Sequence, residues 1–194
     1  MLLYLFFGWC VYFFLHSALA DPQVKETVYN TFPWMERWYR LIYSIIAFAG
    51  LALLLWVSLL NPVRVWEYAG WEWFPAVVLI AMGGTVMYRC ARSFDLLVFM
   101  GIRMKEKKNP LSNSGLITTG MYRYVRHPLY TGTILFAIGW FLLYPIWSFV
   151  VFMVCMFIYL PIGMYFEEKK LVHEFGEEYR KYRKRVKKLI PGVY

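Results

Sequence analysis

Charged residues are scarce in this chain, making up 17% of its 194 residues against 60% for hydrophobic ones. So little charge excludes an ordinary soluble domain of this size, because such a domain needs a more polar surface. The three cysteines, Cys10, Cys90 and Cys155, lie in or at the ends of apolar runs without paired spacing. This pattern excludes a disulfide framework and a metal site of zinc type, and it favours buried structural cysteine over a catalytic thiol.

Long apolar runs are abundant instead, and five of them approach the roughly 20 residues that a membrane-spanning helix needs. No positive charge precedes the first run, so we expect a retained span rather than a signal peptide. Only Tyr144-Pro145 separates the last two runs, which predicts a tight helical hairpin. The predicted fold is all-α integral membrane with five transmembrane helices, at residues 2–19, 41–60, 74–88, 129–144 and 146–166.

Positive charge is distributed unevenly between the connections. Alternating five spans across a membrane places 20 of the 21 Lys and Arg residues on one side and only Arg64 on the other. The positive-inside rule then predicts an N-terminus outside and a C-terminus in the cytoplasm. The net charge of +9 is explained by this topology and by attraction to membrane lipid, so no nucleic-acid partner is expected.

Three local elements are also predicted. Asp21-Pro22 is typical of a helix start, with aspartate as the cap, and opens a short interfacial element. Residues 94–102 suit a short surface helix. Pro161 predicts a kink in the last span. A cationic amphipathic cytoplasmic helix is predicted after that span, because apolar residues recur at helical spacing at Val172, Phe175, Tyr179, Tyr182 and Val186.

The polar, glycine-punctuated segment 115–132 is the strongest candidate site. Pro128 is expected to begin a helix whose free N–H groups, with Arg126 and His127 beside them, suit a carboxylate or phosphate. Glycines at 120 and 132 would let a ligand approach, and nearby tyrosines offer flat faces. A contact with lipid headgroups explains the same residues about equally well.

A second polar cluster, residues 167–179, follows the last span. The predicted hairpin should return this cluster to the face that carries segment 115–132. A site built from both clusters is therefore expected. We treat residues 1–194 as one domain, with a two-span region at 1–73 and a core at 74–194 that contains the 115–132 loop and the 167–194 tail.

The paired motifs of these clusters are specific. Arg126-His127-Pro128-Leu129-Tyr130-Thr131-Gly132, followed by Glu167-Glu168 and by Phe175-Gly176-Glu177-Glu178-Tyr179-Arg180-Lys181-Tyr182, resembles the isoprenylcysteine carboxyl methyltransferase family. Membrane methyltransferases of phospholipids and of small thiols look similar there. His16-Ser17-Ala18-Leu19-Ala20 is similar to bacterial relatives that include thiol methyltransferases and nitric-oxide-reductase-associated proteins (NnrU-like relatives).

The resemblance implies a methyltransferase that binds S-adenosylmethionine on the cytoplasmic side and releases S-adenosylhomocysteine. Glu167 and Glu168 match the acidic pair near the cofactor and the acceptor, and we expect them to be catalytic. The residues expected to bind the cofactor are Leu116, Thr119, Gly120, Tyr122, Arg126, His127, Pro128, Tyr130, Gly132, Glu168, Tyr179 and Tyr182.

The acceptor implied by the resemblance is lipophilic: a prenylated cysteine carboxylate, a small thiol or a phospholipid amine. Carboxyl methyltransferases carry an arginine shortly before the acidic pair, whereas residues 161–166 here contain none, which weakens the carboxylate reading. A thiol acceptor must lose a proton, and Glu167, Glu168 or His127 is placed to assist. The non-enzymatic alternative is a membrane accessory protein that binds lipid headgroups.

Overall fold

The computed structural model describes residues 1–93 and 115–193. All regular elements within these ranges are helical, as predicted, whereas the expected surface helix at 94–102 lies outside them. The elements are α1 (Leu2–Ala20), α2 (Pro22–Thr31), α3 (Met35–Leu60), α4 (Trp73–Ala91), a 3₁₀ turn (Gly120–Arg123), α5 (Pro128–Leu143) and α6 (Trp147–Arg185).

Four of these helices, α1, α3, α4 and α6, are long and apolar enough to cross a membrane, and α5 is a shorter apolar helix of 16 residues. Their outer faces carry exposed large apolar side chains such as Phe14, Phe48 and Phe74. Exposing such apolar surfaces to water is unfavourable, whereas contact with lipid tails is not. The chain is therefore an integral membrane protein.

Local capping confirms one prediction and the course of α6 revises another. Asp21 accepts hydrogen bonds from the backbone N–H groups of Gln23 and Val24, at 2.8 and 3.3 Å, and so caps α2. Helix α6 continues past Pro161, and its non-helical backbone angles occur at Gly176, with φ 53° and ψ −124°. The predicted tail helix thus begins as a continuation of the last span, and glycine permits the positive φ of the break.

The chain forms two compact units. Among the described residues, unit 1 comprises 1–66 and 145–159, and unit 2 comprises 67–93, 115–144 and 160–193. The core of unit 1 contains Leu5, Trp9 and Cys155, and Phe152 packs on Trp9 with 4.6 Å between ring centroids. Cys155 is therefore a buried structural residue, as expected.

Unit 2 is built on close packing of α4 against α5. A Cβ added at Gly83 would lie 2.6 Å from the carbonyl oxygen of Gly132, and one at Gly139 would lie 2.7 Å from that of Ala76. Both glycines thus allow backbone-to-backbone contact between the two helices, which small residues favour in membranes. Gly84, the neighbour of Gly83, takes no part in this contact, because no atom lies within 4 Å of a Cβ added there.

Candidate functional site

The site begins where the chain enters α5. His127 is the residue before the helix, and Pro128 occupies the first helical position, where its missing N–H costs nothing. The 3₁₀ turn shortly before it starts at Gly120, whose φ of 63° favours glycine. This turn and the helix start position Arg126 and His127 immediately before the N-terminus of α5.

Arg126 joins this helix start to α6. Its Nε and Nη2 atoms donate to Oε1 of Glu168 at 3.0 and 2.7 Å, and the two side chains are only 7% and 10% exposed. Its Nη1 atom donates to the backbone carbonyls of Arg183 and Val186. A buried guanidinium with these partners is satisfied within the chain, so Arg126 holds the tail and the loop together.

His127 is buried between the two acidic residues. Its Nε2 atom lies 3.2 Å from Oε1 of Glu168, and its Nδ1 atom lies 3.4 Å from Oε2 of Glu167. Ionised Glu168 only accepts hydrogen bonds, so Nε2 must carry a proton and donate it. The contact with Glu167 is close enough for an ion pair but lacks hydrogen-bond geometry, which leaves Nδ1 without a hydrogen-bond partner.

The opposite charges in the cluster stabilise each other's ionised forms. Burial opposes ionisation of Glu168, but hydrogen bonds from His127 and Arg126 outweigh it and lower the pKa of Glu168 to about 2. Burial likewise opposes the charged form of His127, but contacts with Glu167 and Glu168 outweigh it and raise the pKa of His127. Near neutral pH, Glu168 is a carboxylate and His127 keeps a second proton to a higher pH than an ordinary histidine.

Three tyrosines form the wall of the site. The hydroxyl of Tyr182 donates to the backbone carbonyl of Tyr122 at 2.7 Å, and the hydroxyl of Tyr122 lies 3.2 Å from Sγ of Cys90. Tyr179 is 1% exposed, and its hydroxyl has no hydrogen-bond partner. Burial raises the pKa of Tyr179, so this hydroxyl keeps its proton and is available as a donor.

Unpaired buried polar atoms are costly and therefore rare in proteins. Four side-chain atoms of the described chain are of this kind: Trp9 Nε1, Glu72 Oε2, His127 Nδ1 and the Tyr179 hydroxyl. Two of the four belong to the cluster around Glu168. A polar ligand that pairs with them would remove the cost, so this cluster has the properties of a binding site.

The structure brings together seven of the predicted site residues, namely Tyr122, Arg126, His127, Glu167, Glu168, Tyr179 and Tyr182. Pro128 is buried at the start of α5, and the ring of Tyr130 lies 5.5 Å from that of His127. Gly132 packs against α4, so its backbone serves helix contact there. Leu116 is half-buried and Thr119 and Gly120 are exposed on the approach to the site.

Sequence reasoning missed the contribution of the chain end. The backbone N–H groups of Arg126 and His127 donate to the carbonyls of Lys187 and Lys188, at 2.8 and 3.0 Å. The hydroxyl of Thr131 donates to the carbonyl of Leu189 at 2.9 Å. These acceptors are backbone carbonyls, which every residue possesses, so no residue pattern signals them. Cys90 is buried, as expected of a structural cysteine, and its Sγ atom contacts the Tyr122 hydroxyl.

Unit 1 contains a different feature, a cavity of about 210 Å³ between α1 and α3. Its lining is almost wholly apolar, with His16, Tyr12 and Tyr43 as the polar side chains. The hydroxyl of Tyr43 lies 3.1 Å from Nδ1 of His16. His16 thus has a hydroxyl partner inside the protein and does not face water alone.

Comparison with known proteins identifies the class and then the family. The chain is similar to methanethiol S-methyltransferase 2 of Bradyrhizobium diazoefficiens, at 26% identity over 92% of this chain and 69% of that protein. Methanethiol S-methyltransferase of Crocosphaera subtropica is 30% identical over 92% of this chain and 70% of its own length. Protein-S-isoprenylcysteine O-methyltransferase of Schizosaccharomyces pombe is 34% identical over 56% and 43%.

The chain is thus a membrane methyltransferase. Residues 4–192 match the family described as NnrU protein, and the chain belongs to that family. No solved structure matches it. The resemblance to the isoprenylcysteine carboxyl methyltransferases and their NnrU-like relatives is confirmed by these relatives.

Proposed function

We propose that this protein transfers a methyl group from S-adenosylmethionine to the sulfur of a small lipophilic thiol. The observation that carries the proposal is the buried Arg126–Glu168–His127 cluster, in and beside which two buried polar atoms have no hydrogen-bond partner. Both atoms fit a polar ligand. A lipid headgroup at the surface would not require them, because they are shielded from water.

The residues present suit the adenosyl cofactor, which would supply a methyl group activated by a sulfonium charge. Nδ1 of His127 and the hydroxyl of Tyr179 are available to hydrogen-bond its amino-acid or ribose groups. Glu167, whose side chain is 45% exposed, offers a carboxylate that attracts positive charge. Alignment and exclusion of water are the main needs of methyl transfer, and Tyr179 and Tyr182 exclude water on one side.

A thiol is the favoured acceptor for two reasons. The relatives that align with 92% of the chain are named for methanethiol, whereas the isoprenylcysteine enzyme of S. pombe aligns with 56%. Residues 161–166 also contain no arginine to pair with a carboxylate acceptor. A thiol must lose its proton, and the half-exposed carboxylate of Glu167 can accept it. A prenylated cysteine is the second candidate, supported by the similarity in the second half of the chain.

The proposal also includes the topology of the protein in the membrane. We infer that α5 completes a fifth span, with a tight turn at Tyr144-Pro145, the N-terminus outside and both the site and the C-terminus in the cytoplasm. The support is the distribution of 20 of the 21 Lys and Arg residues on one side. Labelling of single cysteines introduced at Arg64 and at Lys184 by an impermeant maleimide in intact cells should mark only the Arg64 position.

The test of the reaction uses purified protein, methyl-labelled cofactor and an acceptor panel: methanethiol, longer alkyl thiols, a prenylcysteine analogue and phosphatidylethanolamine. We expect label in the thiols. Label in the prenylcysteine carboxylate alone would establish the second candidate, and no label together with no binding of S-adenosylhomocysteine would refute the proposal.

Tyr179→Phe provides a sharper test of the site. The hydroxyl is buried without a hydrogen-bond partner, so its removal should leave the ligand-free protein at least as stable, while S-adenosylhomocysteine binds about fivefold more weakly. Tyr165→Phe is the matched control, because Tyr165 is exposed on the same helix. Equal affinities for the two variants in calorimetry would exclude a contact between Tyr179 and the cofactor.

A further inference from the structure

The C-terminal segment, residues 179–193, has two faces with different chemistry. Its inner face contacts the candidate site: Tyr179 and Tyr182 are buried, and Arg126 donates to the carbonyls of Arg183 and Val186. The backbone of residues 187 and 188 then pairs with that of Arg126 and His127. The segment therefore closes the site from one side through its backbone and its tyrosines.

The outer face of the segment is strongly cationic. Residues 179–193 contain seven Lys and Arg residues and no Asp or Glu. Arg180 pairs with Glu177, and Arg183 approaches Glu168 at 3.9 Å. Four other cations are exposed, and their side chains have no described hydrogen bond or ion pair; they are Lys181, Lys184, Arg185 and Lys187.

The same segment presents apolar side chains beside these cations. Ile190 is 53% exposed and Val193 is 72% exposed. The break at Gly176 turns the chain, and the hydroxyl of Thr131, in the first turn of α5, reaches the carbonyl of Leu189. Residues near 190 therefore lie level with the start of apolar α5. This is the level at which a membrane protein meets lipid headgroups.

Cations next to exposed apolar side chains at this level match the surface of an anionic membrane, which offers phosphate charge above hydrocarbon. A soluble anion would use the cations and leave Ile190 and Val193 without a partner. We propose that the outer face of residues 179–193 binds anionic phospholipid headgroups, and that this binding holds the segment closed and so strengthens cofactor binding. The second part rests on the proposed function.

The experiment places the full chain in nanodiscs of phosphatidylcholine, alone or with phosphatidylglycerol. Two quantities are measured: hydrogen exchange of the Arg126 and His127 backbone N–H groups, and affinity for S-adenosylhomocysteine. We expect phosphatidylglycerol to slow the exchange and to tighten the affinity, each about fivefold. Unchanged exchange in both lipids would overturn the proposal.

Charge-reversal variants test whether the lipid dependence arises from residues 179–193. Lys184→Glu with Arg185→Glu should remove the lipid dependence, while the affinity in phosphatidylcholine is retained. Lys169→Glu with Lys170→Glu is the matched control, because both lysines are exposed on α6 before Gly176 and the net charge changes equally. If both double variants lose the lipid dependence, it arises from the net charge of the protein, and the proposal that residues 179–193 form a specific lipid-binding surface is contradicted.

Two further arms separate the alternatives. Ile190→Ser with Val193→Ser should weaken the phosphatidylglycerol effect, whereas an equal effect of the soluble headgroup glycerophosphoglycerol would indicate a soluble anion and overturn the membrane surface. Hydrogen exchange needs no cofactor. If S-adenosylhomocysteine binds in neither lipid, the proposed function fails, and the exchange data still decide whether the lipid surface exists.

Discussion

Unit 1 and unit 2 bury polar groups in different ways. In unit 1, the buried hydrogen bonds join hydroxyl, imidazole and carbonyl groups, such as Ser148 with the Ser58 carbonyl and Tyr43 with His16. In unit 2, a guanidinium, a carboxylate and an imidazole are buried together at Arg126, Glu168 and His127. Burial of charge costs far more free energy than burial of a neutral hydroxyl.

The difference supports the choice of the unit 2 cluster as the candidate site. Neutral hydrogen bonds of the unit 1 type are sufficient to fix helix packing in a membrane, at small cost. A buried ion cluster rarely improves stability over apolar packing, so its presence in unit 2 calls for another reason. The proposed binding of a polar ligand supplies such a reason, because two buried atoms of His127 and Tyr179 lack hydrogen-bond partners.

The largest expected effect follows Glu168→Gln. The change leaves buried Arg126 without its counter-ion, and breaking such a pair costs about 3 kcal/mol of stability. Binding of S-adenosylhomocysteine should fall at least about 100-fold as the cluster loosens. Calorimetry and thermal unfolding in detergent measure both quantities. Glu174→Gln removes the same charge at an exposed position of α6 and should change neither. If Glu168→Gln bound S-adenosylhomocysteine with wild-type affinity, the buried ion cluster of unit 2 would not be needed for binding, and the contrast drawn with unit 1 would have no functional meaning.

The second effect compares two histidines. His127→Ala deletes a hydrogen bond to a charged group, so turnover should fall about 30-fold while the protein stays inserted in the membrane. His16→Ala deletes the hydrogen bond with Tyr43 in unit 1 and should leave the affinity for S-adenosylhomocysteine unchanged. Turnover with labelled cofactor and calorimetry test this pair. Equal losses in both variants would mean that function is not confined to unit 2.

The third effect concerns helix packing in the two units. Gly83→Ala places a methyl group 2.6 Å from backbone atoms of α5 and should destabilise the protein by about 2 kcal/mol. Gly8→Ala in unit 1 meets only the Cδ2 atom of Leu54, a side chain that can move, and should cost less. Gly84→Ala is the control, since nothing lies within 4 Å of its added methyl group. Thermal unfolding should rank them in this order, and equal midpoints would contradict the backbone contact.

The smallest effect is a dependence on pH. The pKa of His127 is raised in the folded protein, so its proton contributes stability below the ordinary histidine pKa of 6.5, and this contribution is lost as pH rises through the raised value. The unfolding temperature should therefore fall modestly between pH 6 and pH 9, and the fall should be smaller in His127→Gln. An identical fall in the variant would assign the dependence to another group.

Several features were predictable because they depend on local chemistry. Asp21-Pro22 caps its helix through atoms that are two and three residues away, and the four long apolar helices follow from apolar length. The Arg126-His127-Pro128 string and the Glu167-Glu168 pair were recognisable as parts of one site from their resemblance to known motifs. Helix α6 continues past Pro161, where a kink was expected, and it has a break at Gly176 that was not predicted.

The sequence by itself determined the membrane class and the helical fold and nominated the residues of the candidate site, because apolar length, capping and paired motifs act at short range or are shared with relatives. Only the tertiary structure decided that the donors of Arg126 are used inside the chain and that His127 Nδ1 and the Tyr179 hydroxyl lack hydrogen-bond partners. It also decided that residues 187–189 close the site. These outcomes depend on backbone carbonyls and on the burial of particular atoms, which residue identity does not encode.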